Sequence, residues 1–278
     1  MTMTFDWCRH CGQHKPMTEE HLPPRSAGND SPVNLYNEQA GDLVVLRSYS
    51  EGHTIPSLCD RCNNEASNRG LPFAYKLWRK GVIDTLQQTA KRHGRDVSHF
   101  DIWASQLFVE VRHGYNLHPG RIVRQALGMI LAVQARRHLL DDYPQLAAAY
   151  RSDGPASIAP LALHVALVGA ATAYVNDALM PSTINLSGRG NTESTSCWLL
   201  SFPPFLIILN DRQQAPITAS RIDQWLEHPI NYHFRKGDRS VSYPIADKRA
   251  LLVSELYRGC EQLRRYKEQH NRSERDAT

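Results

Sequence analysis

Two short stretches of sequence decide the fold: CRHCGQHKPMTEEHLPPR over residues 8–25 and LCDRCNN over residues 58–64. Each stretch contains a pair of cysteines two residues apart, Cys8 with Cys11 and Cys59 with Cys62. A pair at this spacing can bend around one metal ion, and two pairs complete the tetrahedral four-sulfur shell that zinc favours. The sequence therefore predicts one structural Zn²⁺ on these four cysteines. Such a closed shell leaves no open position on the metal for catalysis.

The other cysteines and the apolar segments bear on the compartment. Of the six cysteines, Cys197 and Cys260 stand alone and are predicted to be core thiols. The chain begins without a basic and apolar signal segment, and polar residues interrupt its longest apolar stretch, residues 159–180. We therefore expect a soluble cytoplasmic protein, where paired cysteines are more often metal ligands than disulfides.

Further residues lie between and after the two cysteine pairs. Glu20 and His21 follow the first pair in a Glu-His-x-Pro segment, and Asn63 follows the second pair directly. The order Cys-x-x-Cys, Glu-His, Cys-x-x-Cys-Asn resembles the zinc-stapled HNH, or ββα-metal, nucleases of the endonuclease VII type. The resemblance covers residues 8–70, about a quarter of the chain, and is specific because three separate motifs appear in the expected order.

The resemblance implies a fold and a set of roles. It implies a treble-clef-like ββα-metal module in which His21 is the general base and Glu20 and Asn63 hold Mg²⁺ or Mn²⁺. The middle asparagine of the motif is assigned first to Asn29, with Asn34 and Asn37 as alternatives. This chain has Glu20 where the family more often has Asp, and it lacks the usual Lys-Gly after the last motif. Side chains assigned to substrate phosphates in this module are Arg25, Arg61 and Arg69, whereas His10 and His14 are expected at the surface.

The rest of the chain has a different pattern. Residues 73–270 are predicted to form a mixed α/β domain after the module of residues 1–72, with a polar tail over 271–278, so the whole is α+β. Apolar spacing predicts the following elements: a strand over 42–47, a helix over 71–93, a strand or helix over 101–111, helices from Pro119 and over 143–150, buried strands over 161–175 and 198–209, a short helix over 221–227 and a helix over 246–269.

Charge and function complete the sequence-based interpretation. The net charge is only +4, but residues 91–137 carry five more basic than acidic side chains, which favours a groove for a phosphate backbone with Arg121 and Arg124 among its contacts. Residues 113–121 combine His, Tyr and Arg before a helix and could be a chain turn or a ligand site. The main hypothesis is a DNA endonuclease whose second domain targets, senses or dimerises, by analogy with phage-defence effectors. The alternative is a non-catalytic zinc finger that binds nucleic acid or protein.

Overall fold

The computed structural model describes residues 4–30, 33–39, 42–92, 108–133, 138–167, 174–175, 182–186, 193–202, 204–211 and 219–245. Within these ranges the chain forms five α-helices and several small sheets, so the fold is mixed α/β. All of the paired strands are antiparallel.

The N-terminal part is a small sheet followed by helices. Its elements in chain order are β1 (Phe5–Trp7), β2 (His14–His21), a 3₁₀ turn (Arg25–Ala27), β3 (Val33–Gln39), β4 (Asp42–Tyr49), β5 (Thr54–Cys59), α1 (Asp60–Asn68) and α2 (Leu71–Arg92). The sheet has the order β1-β2-β5, and β3 pairs with β4 as a separate hairpin. Because β5 runs directly into α1, the second cysteine pair spans the junction between a strand and a helix.

The C-terminal part is built around a second, larger sheet. Its elements are β6 (Phe108–Arg112), α3 (Pro119–Val133), α4 (His138–Asp142), α5 (Gln145–Arg151), β7 (Ala162–Leu167), β8 (Tyr174–Val175), β9 (Ser182–Leu186), β10 (Glu193–Phe202), β11 (Phe205–Asn210), β12 (Ser220–Arg221), a 3₁₀ turn (Asp223–Glu227) and β13 (Ser240–Pro244). The six-stranded sheet has the order β12-β7-β11-β10-β8, with β9 also on β10. A two-stranded sheet pairs β13 with β6.

Most of the predicted elements are present. The strand at 42–47 is β4, the helix at 71–93 is α2, and the helices from Pro119 and near 143–150 are α3 and α5. The undecided segment over 101–111 ends in β6, while residues 101–107 lie outside the described ranges. The helix predicted over 246–269, the polar tail and Cys260 also lie outside the described ranges.

Two of the predicted strands and one predicted helix differ in form. The apolar run over 198–209 is predicted as one strand, but it is a hairpin in which β10 ends at Phe202 and β11 begins at Phe205. Proline supplies no N–H to a ladder, and Pro204 directly precedes β11. The strand predicted over 161–175 is β7 and β8, and the short helix over 221–227 is a 3₁₀ turn.

The described parts share one hydrophobic core. A connected cluster of buried side chains extends from Cys8 in the N-terminal sheet to Tyr243 in β13. At its centre Trp78 of α2 stacks on Phe205 of β11 with ring centroids 3.8 Å apart, and its indole N–H donates to the Tyr243 hydroxyl at 2.8 Å. Helix α2, which follows α1 along the chain, therefore contacts both the large sheet and the β6–β13 sheet.

Candidate functional site

The four cysteines of the two pairs lie together. Cys8 and Cys11 occupy the turn between β1 and β2, where Gly12, at φ 68°, donates its N–H to the Cys8 carbonyl at 2.8 Å. Cys59 precedes α1 and Cys62 lies in its first turn. All four sulfur atoms are within 4.8 Å of one another. The prediction that these residues form one cluster is therefore confirmed.

The geometry of the cluster fits a metal ion better than disulfides. The Cys11 and Cys59 sulfurs are 3.9 Å apart, almost twice a disulfide bond length of about 2.05 Å. Sulfurs at about 2.3 Å from a tetrahedral zinc ion would be about 3.8 Å apart. The pKa of the Cys8 thiol is lowered because the Cys62 thiol and backbone N–H groups, including that of Cys59 at 3.4 Å, donate to its sulfur. The four residues could thus bind a metal ion.

His10, inside the first cysteine pair, anchors this turn to the C-terminal part. It is only 3% exposed, so its predicted surface position is wrong, whereas His14 is exposed. Its Nε2 lies 3.1 Å from the Gly128 carbonyl of α3, its ring is 4.2 Å from that of Tyr150, and Arg151 donates to its backbone carbonyl. Burial lowers the pKa of His10 to about 4, so the neutral ring donates to Gly128.

His21 is the last residue of β2, where a backbone carbonyl orients its ring. Its Nε2 is 3.2 Å from the carbonyl oxygen of Glu51. Because a carbonyl oxygen only accepts hydrogen bonds, Nε2 of the neutral ring carries the proton and Nδ1 keeps its lone pair. The ring is therefore set up to accept a proton at Nδ1.

Asn63 joins α1 to the strand that carries Glu20 and His21. Its Nδ2 donates to the Thr18 hydroxyl at 3.2 Å, and that hydroxyl donates to the Leu58 carbonyl at 2.9 Å. Since this contact uses the amide nitrogen, Oδ1 of Asn63 remains as an acceptor. Thr18 lies two residues before Glu20 on β2, and the register of β2 on β5 shifts between Thr18 and Glu19. The structure thus brings β2 against the start of α1 through Thr18.

Glu20 is the most perturbed carboxylate of this region. Burial raises its pKa to about 7, and its oxygens make no hydrogen bond or ion pair with any residue that the structure describes. The charges of Glu20 and Glu65, together with burial, raise the pKa of the Tyr150 phenol, so Tyr150 of α5 lies near both carboxylates. An unpaired carboxylate in a poorly solvated place favours a bound cation.

Asn29 fastens the loops around His21. It is 4% exposed, and its Nδ2 donates to the carbonyls of Pro23 and His53, both at 2.8 Å. Its Oδ1 accepts the His53 N–H at 2.7 Å. A Cβ on Gly52 would lie 2.0 Å from the Asn29 carbonyl, so Gly52 permits this close approach at φ +90°. The alternatives to Asn29 are Asn34 and Asn37. Their side chains are not among those that the structure describes, so their contacts cannot be compared with those of Asn29.

The predicted phosphate-binding arginines fall into two groups. Arg25 and Arg61 are exposed, and Arg25 pairs with Glu51 at 2.9 Å. Arg69 instead binds Asp153 and the carbonyls of Tyr150 and Ser152, which ties the end of α1 to the segment after α5. This set of bonds does not fit the predicted contact of Arg69 with a substrate phosphate.

Arg124 and Arg121, on consecutive turns of α3, also differ. Arg124 is fully buried and donates to the carbonyls of Gly120, Ser152, Gly154 and His228, so its predicted phosphate contact does not fit either. Burial lowers its pKa to about 10. Arg121 is half-buried, and its Nη1 is 3.0 Å from where a Cβ of Gly70 would lie. Apolar periodicity marks α3 as a core helix, but it does not show which arginine turns inward.

Comparison with known proteins gives no relative. No protein-family model, curated protein or solved structure shows a significant match to this chain. No helix among the described residues is long and apolar enough to cross a membrane. Support for a function of this protein therefore comes from its own residues.

Proposed function

We propose that this protein is a metal-dependent endonuclease of the HNH type that hydrolyses phosphodiester bonds in DNA and carries structural zinc on its four cysteines. One observation carries the proposal. In and beside β2, the Glu20 carboxylate has no described hydrogen-bond or ion-pair partner, a carbonyl orients the ring of His21, and Asn63 bonds to Thr18 of the same strand from the helix that starts at the second cysteine pair. A zinc-bound fold alone requires none of these three side chains.

The chemistry follows from the donor atoms. A Mg²⁺ or Mn²⁺ ion on the oxygens of Glu20 and Asn63 would polarise the scissile phosphate and stabilise the leaving oxygen. Nδ1 of His21 takes the proton of the attacking water, while the Nε2–H bond to the Glu51 carbonyl holds the ring in place. The exposed Arg25 and Arg61 contact neighbouring phosphates of the strand.

Plasmid nicking with Mg²⁺ or Mn²⁺ tests the proposal. His21→Ala should reduce the nicking rate by about 10²- to 10⁴-fold, the range for loss of a general base. His14→Ala, at an exposed histidine of the same strand, is the matched control and should nick at the wild-type rate. The zinc content and thermal unfolding of both variants should equal those of the wild type.

Each proposed metal ligand can also be compared with a control variant at a neighbouring residue of the same type. Glu20→Gln should raise the Mn²⁺ concentration needed for half-maximal nicking, whereas Glu19→Gln, at the preceding exposed carboxylate, should not. Asn63→Ala and Asn64→Ala form a second pair of the same kind. Nicking by a zinc-loaded, folded His21→Ala protein at the wild-type rate would refute the proposal. DNA binding without any nicking by the wild type would favour the non-catalytic zinc-finger alternative.

A further inference from the structure

Two loops that are more than a hundred residues apart in the chain meet on one surface. The Phe234 N–H donates to the Leu117 carbonyl at 3.1 Å, and the His113 N–H donates to the Arg239 carbonyl at 2.7 Å. His118 is 3.0 Å from the Tyr232 carbonyl through Nδ1, and its ring is 4.1 Å from that of His233. We call residues 113–118 and 228–239 the paired-loop surface. It continues the two-stranded sheet of β6 and β13.

The paired-loop surface and its flanks are rich in positive charge. Residues 108–121 and 228–240 contain five arginines or lysines but two carboxylates. Both carboxylates are engaged locally, because Asp238 accepts from the Tyr232 hydroxyl at 2.8 Å and Glu110 accepts from Ser240. Arg235 and Lys236 are exposed, and neither forms an ion pair with a described residue. An exposed, uncompensated cluster of this kind attracts a polyanion.

Arg239 lies buried beneath the paired-loop surface. The residue is 5% exposed, and its Nε and Nη2 are buried without any hydrogen-bond partner among the described residues. Its guanidinium carbon lies 3.6 Å from the ring centroid of Tyr115, so the cation covers one face of that ring. Tyr115 is nevertheless 64% exposed. The buried arginine therefore holds an aromatic ring at the surface with its outer face open.

A second aromatic ring, that of Tyr232, belongs to the same surface. Tyr232 stacks on His228 with centroids 4.0 Å apart, and Arg235 lies 5.8 Å from the Tyr232 centroid. Arg121, three residues after the first loop, reaches Gly70 at the end of α1. Arg121, which follows the first loop, thus lies next to the glycine between α1 and α2.

We infer that the paired-loop surface binds a nucleic-acid strand, with phosphates on Arg235 and Lys236 and a base stacked on the outer face of Tyr115. Basic side chains interleaved with exposed aromatic rings are the combination that binds single strands, where phosphates provide affinity and rings provide stacking. The choice of nucleic acid over another polyanion rests on the proposed endonuclease function. The surface uses neither cysteine pair nor any of the proposed catalytic residues.

Oligonucleotide binding by the full-length protein without added Mg²⁺ or Mn²⁺ tests this inference. The probe is a fluorescently labelled single-stranded DNA of about 20 nucleotides. The double variant Arg235→Gln with Lys236→Gln should bind about 10-fold more weakly, and the slope of log K against log salt should fall by about 1.4, which is the loss of two single-strand phosphate contacts. The control Lys76→Gln with Lys80→Gln removes two exposed charges of α2 and should keep the wild-type slope.

The stacking contact has its own test. Tyr115→Ala should weaken binding by about 10-fold, in the range for loss of one stacked base, and Tyr115→Phe should retain wild-type binding. With an abasic strand, Tyr115→Ala and the wild type should bind equally. Loop variants that match the Lys76/Lys80 control in affinity and slope would overturn the inference. Because binding is measured without cleavage, His21→Ala should bind like the wild type, so failure of the endonuclease proposal would be seen separately.

Discussion

Asn29 is a single side chain on which the geometry around His21 depends. It binds three backbone groups of two loops, and two of these groups belong to His53, two residues after the Glu51 carbonyl that orients His21. Asn29→Ala should therefore lower the free energy of unfolding by about 2 to 3 kcal/mol, because buried backbone groups lose their partners. Urea unfolding measures this loss.

A matched change separates the role of Asn29 in folding from its role at His21. Asn29→Asp keeps the oxygen that accepts the His53 N–H but loses both donated hydrogen bonds. It should fall between the wild type and Asn29→Ala in stability and, by the proposed function, in nicking rate. A stability of Asn29→Ala equal to that of the wild type would contradict the importance of these hydrogen bonds.

Arg124 and Arg121 provide a second prediction at the level of single residues. Arg124→Met would leave buried carbonyls unpaired and should cost about 3 kcal/mol of stability or more. Arg121→Met should cost less than about 1 kcal/mol, because Arg121 is half-buried and no hydrogen bond of its guanidinium to a described residue holds the fold. Equal losses of unfolding free energy in both variants would contradict this assignment.

The residues of the candidate site were predictable to very different degrees. The four cysteines could be predicted because the spacing of two pairs specifies a shell of ligands by itself. Asn29 could only be chosen by resemblance, since its three partners are backbone groups that have no sequence signature. Burial of His10 could not be predicted, because it depends on Gly128 and Tyr150, more than a hundred residues away in the chain.

At the level of the elements, the local spacing of apolar residues was sufficient to predict an element that buries one face. Helices α2 and α3 follow from apolar spacing, and α3 begins at a proline. The β10–β11 hairpin was merged into one strand because both of its strands are apolar, so no change of period marks the turn. The pairing of the loops at 113–118 and 228–239 depends on the β6–β13 register, which local sequence does not encode.

The contact of α3 with α5 gives a prediction for a helix interface. A Cβ on Gly128 would lie 2.7 Å from the Tyr150 ring, and the Gly128 carbonyl is the partner of His10. Alanine normally favours a helix over glycine by about 1 kcal/mol. Gly128→Ala should nevertheless lower the unfolding free energy by about 1 to 3 kcal/mol, because the ring and the cysteine turn must move.

The control for Gly128→Ala lies where no atom obstructs a Cβ. Gly114 has nothing within 4 Å of its Cβ position, so Gly114→Ala should leave the unfolding free energy within about 0.5 kcal/mol of the wild type. Both variants are measured by urea unfolding at the same metal content. A Gly128→Ala protein that is more stable than the wild type would show that helix propensity outweighs this close contact.

At the level of the whole molecule, the cysteine cluster is part of the common core. The turn at Cys8 and Cys11 contacts α3 and α5 through His10. Loss of metal should therefore destabilise both the N-terminal and the C-terminal part. Cys11→Ser should lower bound zinc from about one ion per chain and should lower the thermal unfolding midpoint of the C-terminal sheet as well. Ser67→Ala, at an exposed residue of α1, is the control and should retain both. An unchanged midpoint of a metal-free protein would show that the two parts fold independently.

A buried histidine of the C-terminal part links the stability of the whole molecule to pH. His113 is 2% exposed, its Nε2 lies 2.7 Å from the Tyr243 hydroxyl, and its ring is stacked near Phe234. Burial lowers its pKa from 6.5 to about 4 in the folded state. Below pH 6.5 the His113 side chain binds a proton in the unfolded chain but stays neutral in the folded chain. The contribution of His113 to stability is therefore complete above about pH 6.5 and falls as the pH falls toward 4.

The difference in stability between the wild type and His113→Gln isolates the effect of His113, because acid releases a thiolate-bound metal from both proteins alike. Two to three pKa units correspond to about 3 kcal/mol, which is the most that the His113 contribution can change. His113→Gln should unfold more easily at neutral pH, but its stability should fall less steeply than that of the wild type between pH 6.5 and pH 4. His233→Gln, at an exposed histidine, should keep the wild-type slope. Because all three proteins retain the cysteine cluster, parallel pH profiles for the wild type and His113→Gln would show that His113 is not the group that titrates.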